Sequence, residues 1–289
     1  MTPMPAIDRL SSLLERFRVR TQLFHAGPLC GVTSFAPEKG RGFLHVLRRG
    51  EMVVTHPSRA GVSRRITVRE PSLLFYPRPL AHHFHNPPVE GSDFVCATVA
   101  FDDGEAHPLA RALPALVRLP LRAVDGLEQS LALLFGETTR VQCGHRLLAD
   151  RLFEVVLIQL LRWLLDHPEE GALPVGLLTG LGDPPLARLL VALHERPGDA
   201  WRLDQMAREA GLSRSALAAR FKAVVGTTPA DYLADWRLSI AQAELRRGAP
   251  VKAIADQLGY ANASALSRLF AQRVGVSPRE WLAAQQHAL

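Results

Sequence analysis

Two stretches in the last third of the chain share one pattern: RFKAVVGTTPADYL, from Arg220 to Leu233, and LFAQRVGVSPREWL, from Leu269 to Leu282. Their Phe, Gly, Pro and final Leu positions coincide at a separation of 49 residues. Upstream, LDQMAREAGLS (from Leu203) matches VKAIADQLGYAN (from Val251) at a separation of 48. Two copies are too few for a stacked repeat protein. The pattern therefore predicts one small unit that has been duplicated.

Each copy predicts a helix, a sharp turn and a second helix. From Leu203 onward, apolar side chains recur at i, i+3, i+4 and i+7, which places them on one helical face. Gly211 supplies the left-handed residue that ends this helix, and Ser213 is a candidate N-cap for the next one. This is the helix-turn-helix pattern, whose second helix enters the DNA major groove while the first braces it.

Positive charge is concentrated in the same segment. Residues 1–183 hold 20 Lys and Arg against 19 Asp and Glu, whereas residues 184–289 hold 14 against 9. A cationic surface can simply be solvated, but an excess confined to one segment favours a polyanionic partner for that segment. With 47% hydrophobic and 21% charged residues, the composition excludes a disordered chain.

Together these residues resemble the DNA-binding domain of the AraC/XylS family of bacterial transcription regulators. The most specific stretch is ADQLGYANASALSRLFAQRVGVSPREWL, from Ala255 to Leu282, in which Leu266 stands where the family usually has Phe. Arg237, between the two copies, matches the recurrent arginine of the family's long connecting helix. The resemblance spans residues 185–289. It implies a sequence-specific DNA-binding transcription regulator and not an enzyme.

Helix geometry selects the side chains that would face the groove. At about 100° per residue, Leu266 and Phe270 mark the core face of the second recognition helix, and Arg268 lies opposite. Arg268 is the first candidate for a base contact, because a guanidinium can bond guanine O6 and N7 together. A contact with phosphate alone is the alternative.

The first recognition helix predicts a different kind of readout. Of its four groove-facing residues, Ser215, Ala218, Ala219 and Lys222, three are small, which favours recognition of DNA shape and thymine methyl groups. Arg214, Arg220 and Lys222 are candidate phosphate contacts that flank this readout surface. The predicted DNA-binding residues are Arg214, Ser215, Arg220, Lys222, Asn262, Ser264, Ser267 and Arg268.

The first part of the chain has a different pattern, with short β-type runs between turn residues over residues 22–100. Examples are GFLHVLRRG from Gly42, SLLFYP from Ser72 and SDFVCATVAF from Ser92. Six or more such runs without intervening helices predict an antiparallel sandwich or barrel. The expected fold class is α+β: an N-terminal antiparallel β-barrel of cupin or jelly-roll type with trailing helices, followed by an all-α domain of two helix-turn-helix units.

The stretch YPRPLAHHFHN, residues 76–86, resembles the second sequence motif of the cupins, with His82 at the metal-ligand position. The first cupin motif is partly matched, since His45 and Glu51 keep its spacing while Leu47 replaces its second histidine. A catalytic cupin typically uses three histidines and a glutamate, so one ligand is missing here. A cupin metalloenzyme fused to a DNA-binding module stays the alternative function.

The histidines of this stretch are not expected to hold one ion together. If residues 82–85 are extended, His83 and His85 share one face and His82 points to the other. Hydrogen bonding of the histidines inside the barrel, with the cysteines as small buried hydrophobes, is the alternative to a metal site.

By resemblance, a degenerate cupin ahead of an AraC-type segment holds an effector inside the barrel. Three signals stay open: a small organic molecule, a zinc-like divalent metal with a cysteine as soft ligand, and oxidation of a thiolate activated by nearby arginines. Arg48, Arg49 and Arg78 are the candidate activating arginines. The predicted effector or metal residues are His45, Glu51, His82, Cys96 and Cys30.

Residues 105–182 connect the two halves. Residues 145–167 have helical periodicity with apolar side chains nearly all round. We interpret residues 147–165 as a homodimer helix, with core packing inside the monomer as the close rival. Residues 167–185, HPEEGALPVGLLTGLGDPP, concentrate Pro and Gly and predict a linker. The expected first domain spans residues 1–182, with the barrel over about 20–102, helices over about 105–168 and the linker over about 168–185. The expected second domain spans residues 185–289.

Several features favour a reducing cytoplasm. The N-terminus lacks the apolar stretch of a secretory signal, and the most apolar run, residues 155–165, is shorter than the ~18 residues of a membrane span. Cys30, Cys96 and Cys143 form no CxxC pair and suggest no disulfide framework. The expected partners are double-stranded DNA, a second copy of the chain, a small effector and, for an activator, RNA polymerase.

Overall fold

The computed structural model describes residues 7–57, 61–87, 91–102, 104–140 and 142–286. The described residues form two compact units: a sheet unit from Arg18 to Pro174, and a helical unit that combines the described residues up to Phe17 with those from Val175 to 286. The division falls between Pro174 and Val175 and not at the expected residues 182–185, and the helical unit also includes the segment before Arg18. None of the helices in the described part of the chain is long and apolar enough to cross a membrane.

The sheet unit is built on two antiparallel sheets with strand orders β1-β8-β3-β6-β9 and β2-β7-β4-β5. Neighbouring strands are therefore often far apart in the chain. Each sheet keeps two edge strands, so the predicted jelly-roll-like architecture is confirmed as two open sheets and not as one closed barrel. The strands are β1 (Val19–Leu29), β2 (Gly31–Phe35), β3 (Arg41–Arg49), β4 (Met52–Thr55), β5 (Arg65–Val68), β6 (Ser72–Tyr76), β7 (His82–Asn86), β8 (Ser92–Phe101) and β9 (Val117–Pro120).

The core of the sheet unit lies between apolar strand faces and a covering layer of helices. All residues of β6 are buried, as expected for a central strand that is covered on both sides. Helix α4 packs on β1, where Thr21 Oγ1 donates to the Asp150 carbonyl at 2.5 Å and the Leu23 N–H donates to the Asp150 carboxylate at 2.7 Å. The helices of this unit are α2 (Pro108–Ala112), α3 (Leu127–Thr139) and α4 (His145–Asp166).

The helical unit contains two helix-turn-helix pairs, α7–α8 and α10–α11, and the long helix α9 joins them. The predicted all-α architecture of the C-terminal part is confirmed. The helices are α1 (Ser11–Arg16), α5 (Leu177–Gly182), α6 (Pro184–Glu195), α7 (Leu203–Ala210), α8 (Arg214–Val225), α9 (Pro229–Arg246), α10 (Val251–Gln257), α11 (Ala263–Val274) and α12 (Pro278–Gln286).

Helix α1 belongs to the helical unit because its apolar side chains are buried there. Leu13 is fully buried, and the ring of Phe17 meets that of Trp236 edge-on at a centroid distance of 5.1 Å. The Arg247 guanidinium also donates to the Arg16 carbonyl at 3.3 Å. Burial of these side chains favours the packed state by about 1.5–3 kcal/mol each.

The prediction of a linker over residues 168–185 is wrong for residues 177–182, which form α5. Leu178 and Leu181 of this helix are fully buried. A Cβ atom on Gly180 would lie 2.8 Å from a methyl of Leu190 and 2.9 Å from a methyl of Val225. Gly180 therefore allows α5 to approach α6 and α8 closely. In this segment a glycine whose presence predicts a flexible linker serves close helix packing.

Candidate nucleic-acid interface and cupin interior

The first recognition helix, α8, is held by a turn, a cap and a buried face. Gly211 ends α7 with φ +66°, a left-handed conformation that residues with a Cβ rarely adopt. The Ser213 hydroxyl then caps α8 by accepting a hydrogen bond from the Ala216 N–H at 3.2 Å. Leu217 and Phe221 are fully buried. The other side of α8 therefore faces solvent.

The second recognition helix, α11, is built in the same way. Gly259 turns the chain after α10 with φ +72°. The side-chain Oδ1 of Asn262 accepts a hydrogen bond from the Ala265 N–H at 2.9 Å and so caps α11. Leu266 and Phe270 are buried, as the helical spacing predicts. Asn262, a predicted DNA contact, thus uses its side-chain oxygen within the protein.

Most of the other predicted DNA-binding side chains lie on the solvent faces of α8 and α11. Ser267 is half-buried because it stands beside the core face of α11. The exposed members are Arg214, Ser215 and Lys222 of α8, and Ser264 and Arg268 of α11.

Arg220 is engaged inside the helical unit. Its Nε lies 3.0 and 2.9 Å from the two carboxylate oxygens of Asp183, and its terminal nitrogen lies 2.7 Å from one of them. Asp183 also caps α6 by accepting from the Leu186 N–H at 3.2 Å. A phosphate would have to share this guanidinium with Asp183. The two residues are 37 positions apart, so no local pattern indicated the pair.

Arg273 is a residue that sequence reasoning missed. It donates to Asp231 at 2.7 Å and to Asp235 at 3.1 Å, and both carboxylates belong to α9. The ion pairs therefore attach the second recognition helix to the helix that joins the two pairs. The spacing of Asp231 and Asp235, one helical turn apart, is the sequence signal that was available.

In the cupin interior, the structure brings His45 and His82 together. Their Nε2 atoms lie 3.0 Å apart, and both side chains are fully buried. The His82 ring stacks on Tyr76 at 4.0 Å and on Phe35 at 4.8 Å between centroids. Phe43 stacks on His45 at 5.7 Å. We call these five residues the aromatic box.

The hydrogen bonds of the aromatic box define its tautomers. The Nδ1 atom of His82 lies 2.8 Å from the Leu80 carbonyl, so it carries the proton and donates. The Nε2 of a neutral His82 then accepts, and His45 donates from its own Nε2. The Nδ1 of His45 is left as a buried acceptor with no hydrogen-bond partner among the described residues.

Burial keeps both histidines neutral at pH 7. It lowers the pKa of His82 to about 4, and it lowers the pKa of His45 well below its usual value, with the neighbouring His82 adding to the effect. The remaining histidines of the stretch behave as predicted. His83 and His85 lie on the other face of β7, where they contact Ser34 Oγ at 2.8 Å and Thr55 Oγ1 at 2.9 Å.

The structure does not assemble the hypothesised metal site. Glu51 and Cys30 are exposed, whereas His45, His82 and Cys96 are buried. Among the described residues, no group of three or more His, Cys, Asp or Glu side chains is arranged to hold a metal ion. The side chains of the proposed set therefore do not fit a zinc-like ion, because they lie at different depths.

The three arginines proposed to activate a thiolate have other partners. Arg48 and Arg49 both lie 3.6 Å from the Asp93 carboxylate, and Arg78 donates to the Leu113 carbonyl at 2.9 Å. Burial raises the pKa of the Cys96 thiol, which opposes thiolate formation. The geometry around Cys96 gives no support to a redox signal there.

Comparison with known proteins finds one family match in the first part of the chain and one in the last part. Residues 8–166 match the family model described as cupin, and residues 206–284 match the model described as helix-turn-helix domain. The chain is thus a two-domain protein with a cupin domain ahead of paired helix-turn-helix units. It belongs to the AraC/XylS family of transcription regulators.

Individual relatives show the extent of the similarity. The chain is 37% identical over 172 residues to a putative AraC-like transcription regulator of Streptomyces antibioticus, covering 58% of this chain. It is 26% identical over 242 residues to RclR, the RCS-specific HTH-type transcriptional activator of Escherichia coli, covering 82% of each chain. The chain spans 56% to 58% of the length of three curated relatives that it matches.

Among solved structures, ToxT of Vibrio cholerae is similar at 12% identity, over 93% of this chain and 97% of that one, with a TM-score of 0.39. The DNA-binding domain of AdpA, solved in complex with a target DNA, is 26% identical over 37% of this chain and 96% of that one, with a TM-score of 0.34.

Proposed function

We propose that this protein is a sequence-specific, double-stranded DNA-binding transcription regulator whose cupin domain takes a small-molecule signal. The observation that carries the proposal is the pair of recognition helices, each with a buried apolar face and an exposed polar face. Arg214 and Lys222 on α8 and Arg268 on α11 supply cationic groups for the duplex.

The DNA partner is tested by selecting duplexes from a random pool with the full chain and then measuring affinity against salt. Counterion release predicts a linear fall of log affinity with log salt, and six phosphate contacts would cost about a thousand-fold between 50 and 200 mM salt. A pool that yields no enriched sequence, or an affinity that does not change with salt, would contradict the proposal.

The signal proposed for the cupin domain is a small aromatic or apolar organic molecule with a hydrogen-bond donor. The buried Nδ1 of His45, which accepts no hydrogen bond from any residue that the structure describes, is an acceptor that such a donor would satisfy. Phe24 stands at the edge of the aromatic box, 45% exposed, with its ring centroid 6.3 Å from that of His45. Displacement of Phe24 would open a route from solvent to His45.

Two experiments separate an organic signal from a bound metal and from thiol oxidation. Elemental analysis of the purified protein tests for a bound metal, and thiol titration with DNA binding before and after mild oxidant tests for redox sensing. We expect no stoichiometric metal and no change of DNA affinity on oxidation. Stoichiometric zinc that His45→Gln removes would refute the organic ligand.

We further propose that α4 forms a homodimer contact. Leu148 and Val155 are exposed two turns apart on this helix, and Leu147 is exposed beside them. A second copy would cover this apolar stripe with the same stripe of its own α4. Sedimentation should show that Leu148→Asp dissociates the dimer, while Arg146→Asp on the opposite side of α4 leaves it intact. A monomeric wild-type protein would contradict the proposal.

A further inference from the structure

Arg237, near the middle of α9, holds parts of both helix-turn-helix pairs. Its Nε donates to the Pro197 carbonyl at 2.6 Å, and a terminal nitrogen donates to the Asp199 carbonyl at 2.8 Å. These carbonyls belong to the loop that precedes α7. The same guanidinium lies over the Tyr260 ring, 5.4 Å from its centroid, and Tyr260 belongs to the turn of the second pair.

The backbones of the two pairs touch beside this arginine. A Cβ atom on Gly198 would lie 2.5 Å from the Gln257 carbonyl oxygen. A Cβ atom on Gly259 would overlap the Gly198 carbonyl. The loop before α7 and the turn after α10 therefore meet backbone to backbone, with no room for a Cβ atom at either glycine.

Arg237 makes three contacts at once, namely hydrogen bonds to two carbonyls and a stacking contact with one aromatic ring. A guanidinium is a planar fork with fixed donors, so it can hold two carbonyls and stack on a ring at the same time. Lysine offers one compact charge on a flexible stem and cannot fix the same geometry. The loop of the first pair and the turn of the second are thus held at one distance from α9.

We propose that Arg237, with the Gly198–Gly259 contact, sets the separation and relative angle of α8 and α11, and so the number of base pairs between the two DNA segments that the chain reads. Arg237 is a positioning residue and makes no DNA contact itself. The inference rests on the proposed function, because spacing has a meaning only if both recognition helices bind one duplex.

The first test changes the spacing in the DNA. In a duplex selected with the wild-type chain, one base pair is inserted or removed between the two protected segments, which moves one segment by about 3.4 Å and about 35° relative to the other. Wild-type protein should lose at least about ten-fold in affinity, equivalent to one mismatched base pair. Arg237→Met should bind the original duplex more weakly and should discriminate between spacings less than about three-fold.

Two further variants accompany this test, one as a control and one as an independent change at the contact between the two pairs. Arg247→Met removes the same charge just beyond the end of α9 without touching the loop at residues 197–199 or the turn at 257–260, so it should keep the spacing preference. Gly198→Ala introduces only a methyl group at a residue without a left-handed φ, and it should shift the preferred spacing by pushing the pairs apart. Unchanged preferences in both Arg237→Met and Gly198→Ala would overturn the inference.

The second test needs no DNA. Spin labels at Ala219→Cys on α8 and Ser264→Cys on α11, in a chain with Cys30→Ser and Cys143→Ser, report the distance between the recognition helices, and the buried Cys96 stays unlabelled. The distribution should be narrow in the wild-type background and broader in Arg237→Met. Arg237→Lys replaces it if the methionine variant does not fold. An unchanged distribution would refute the positioning role, whereas failure to select any duplex would refute only the proposed function.

Discussion

Arg268 and Lys222 are exposed cationic side chains at different positions on their recognition helices. We expect Arg268→Ala to lose about 1–3 kcal/mol of binding to its preferred duplex and to relax preference at one guanine. Lys222→Ala should weaken binding to every sequence by a similar factor and reduce the salt slope by about one. Footprinting and titration on matched and mutated duplexes measure both effects. Equal losses on all sequences for both variants would refute base recognition by Arg268.

His82 gives the sheet unit a specific dependence on pH. Its pKa is lowered to about 4 in the folded protein, below the value of about 6.5 for an exposed histidine, so the unfolded chain binds more protons between these values. The stability that neutral His82 contributes is present above about pH 6.5 and is lost as pH falls towards 4. We expect the free energy of unfolding to fall by about 1–3 kcal/mol over this range.

Chemical denaturation at a series of pH values tests this expectation. His82→Gln removes one of the two buried histidines whose pKa is lowered and should make the acid limb of the profile shallower, while His45 continues to contribute to it. His83→Gln, in the next residue of β7 but on its outer face, should leave the profile as in the wild type. A profile that is the same in the His82 and His83 variants would show that other groups cause the acid loss.

At the scale of the element, α5 shows how a single glycine sets a helix contact. Gly180→Ala should destabilise the helical unit by about 1–3 kcal/mol, because the new methyl group would collide with Leu190 and Val225. Gly136→Ala in α3 is the matched control, since a Cβ there meets no atom within 4 Å. It should stabilise the protein by up to about 1 kcal/mol through helix propensity. Thermal unfolding distinguishes them, and equal shifts would contradict the packing argument.

The two recognition helices also differ in how they are attached. The first is tied through Arg220 to Asp183 at the start of α6, and the second is tied through Arg273 to Asp231 and Asp235 on α9. All of these side chains are at least partly solvent-accessible, so each ion pair adds little to stability by itself. Their effect is to fix the orientation of the helices, because a charge pair with two or more hydrogen bonds has a defined geometry.

For the whole molecule, the N-terminal segment is part of the helical unit although it begins the chain. Phe17→Ala should destabilise that unit by about 3–5 kcal/mol, because it removes a fully buried ring from beside Trp236. Hydrogen exchange resolved by segment is the suitable measurement. Exchange should accelerate in α6 and α9 and remain slow in β3 and β6. Acceleration confined to the strands would place the segment in the sheet unit instead.

Much of this protein could be predicted from residues that are close in the chain. Helical periodicity, Gly211 and Ser213 specify the first helix-turn-helix pair, because caps and faces depend on neighbours within about four positions. The alternation along β7 separated His82 from His83 and His85 for the same reason. The resemblance to cupins brought His45 and His82 into one site although they lie 37 positions apart.

The sequence by itself determined the two kinds of domain and the buried and exposed faces of the recognition helices, since hydrophobic period and turn chemistry are local properties. Only the tertiary structure decided that Arg220 binds Asp183, that Arg237 holds the loop before α7, and that the N-terminal helix packs in the helical unit. These contacts join residues 37, 40 and more than 200 positions apart. Their formation depends on how the elements pack together, and contacts between distant residues produce no periodic pattern in the sequence.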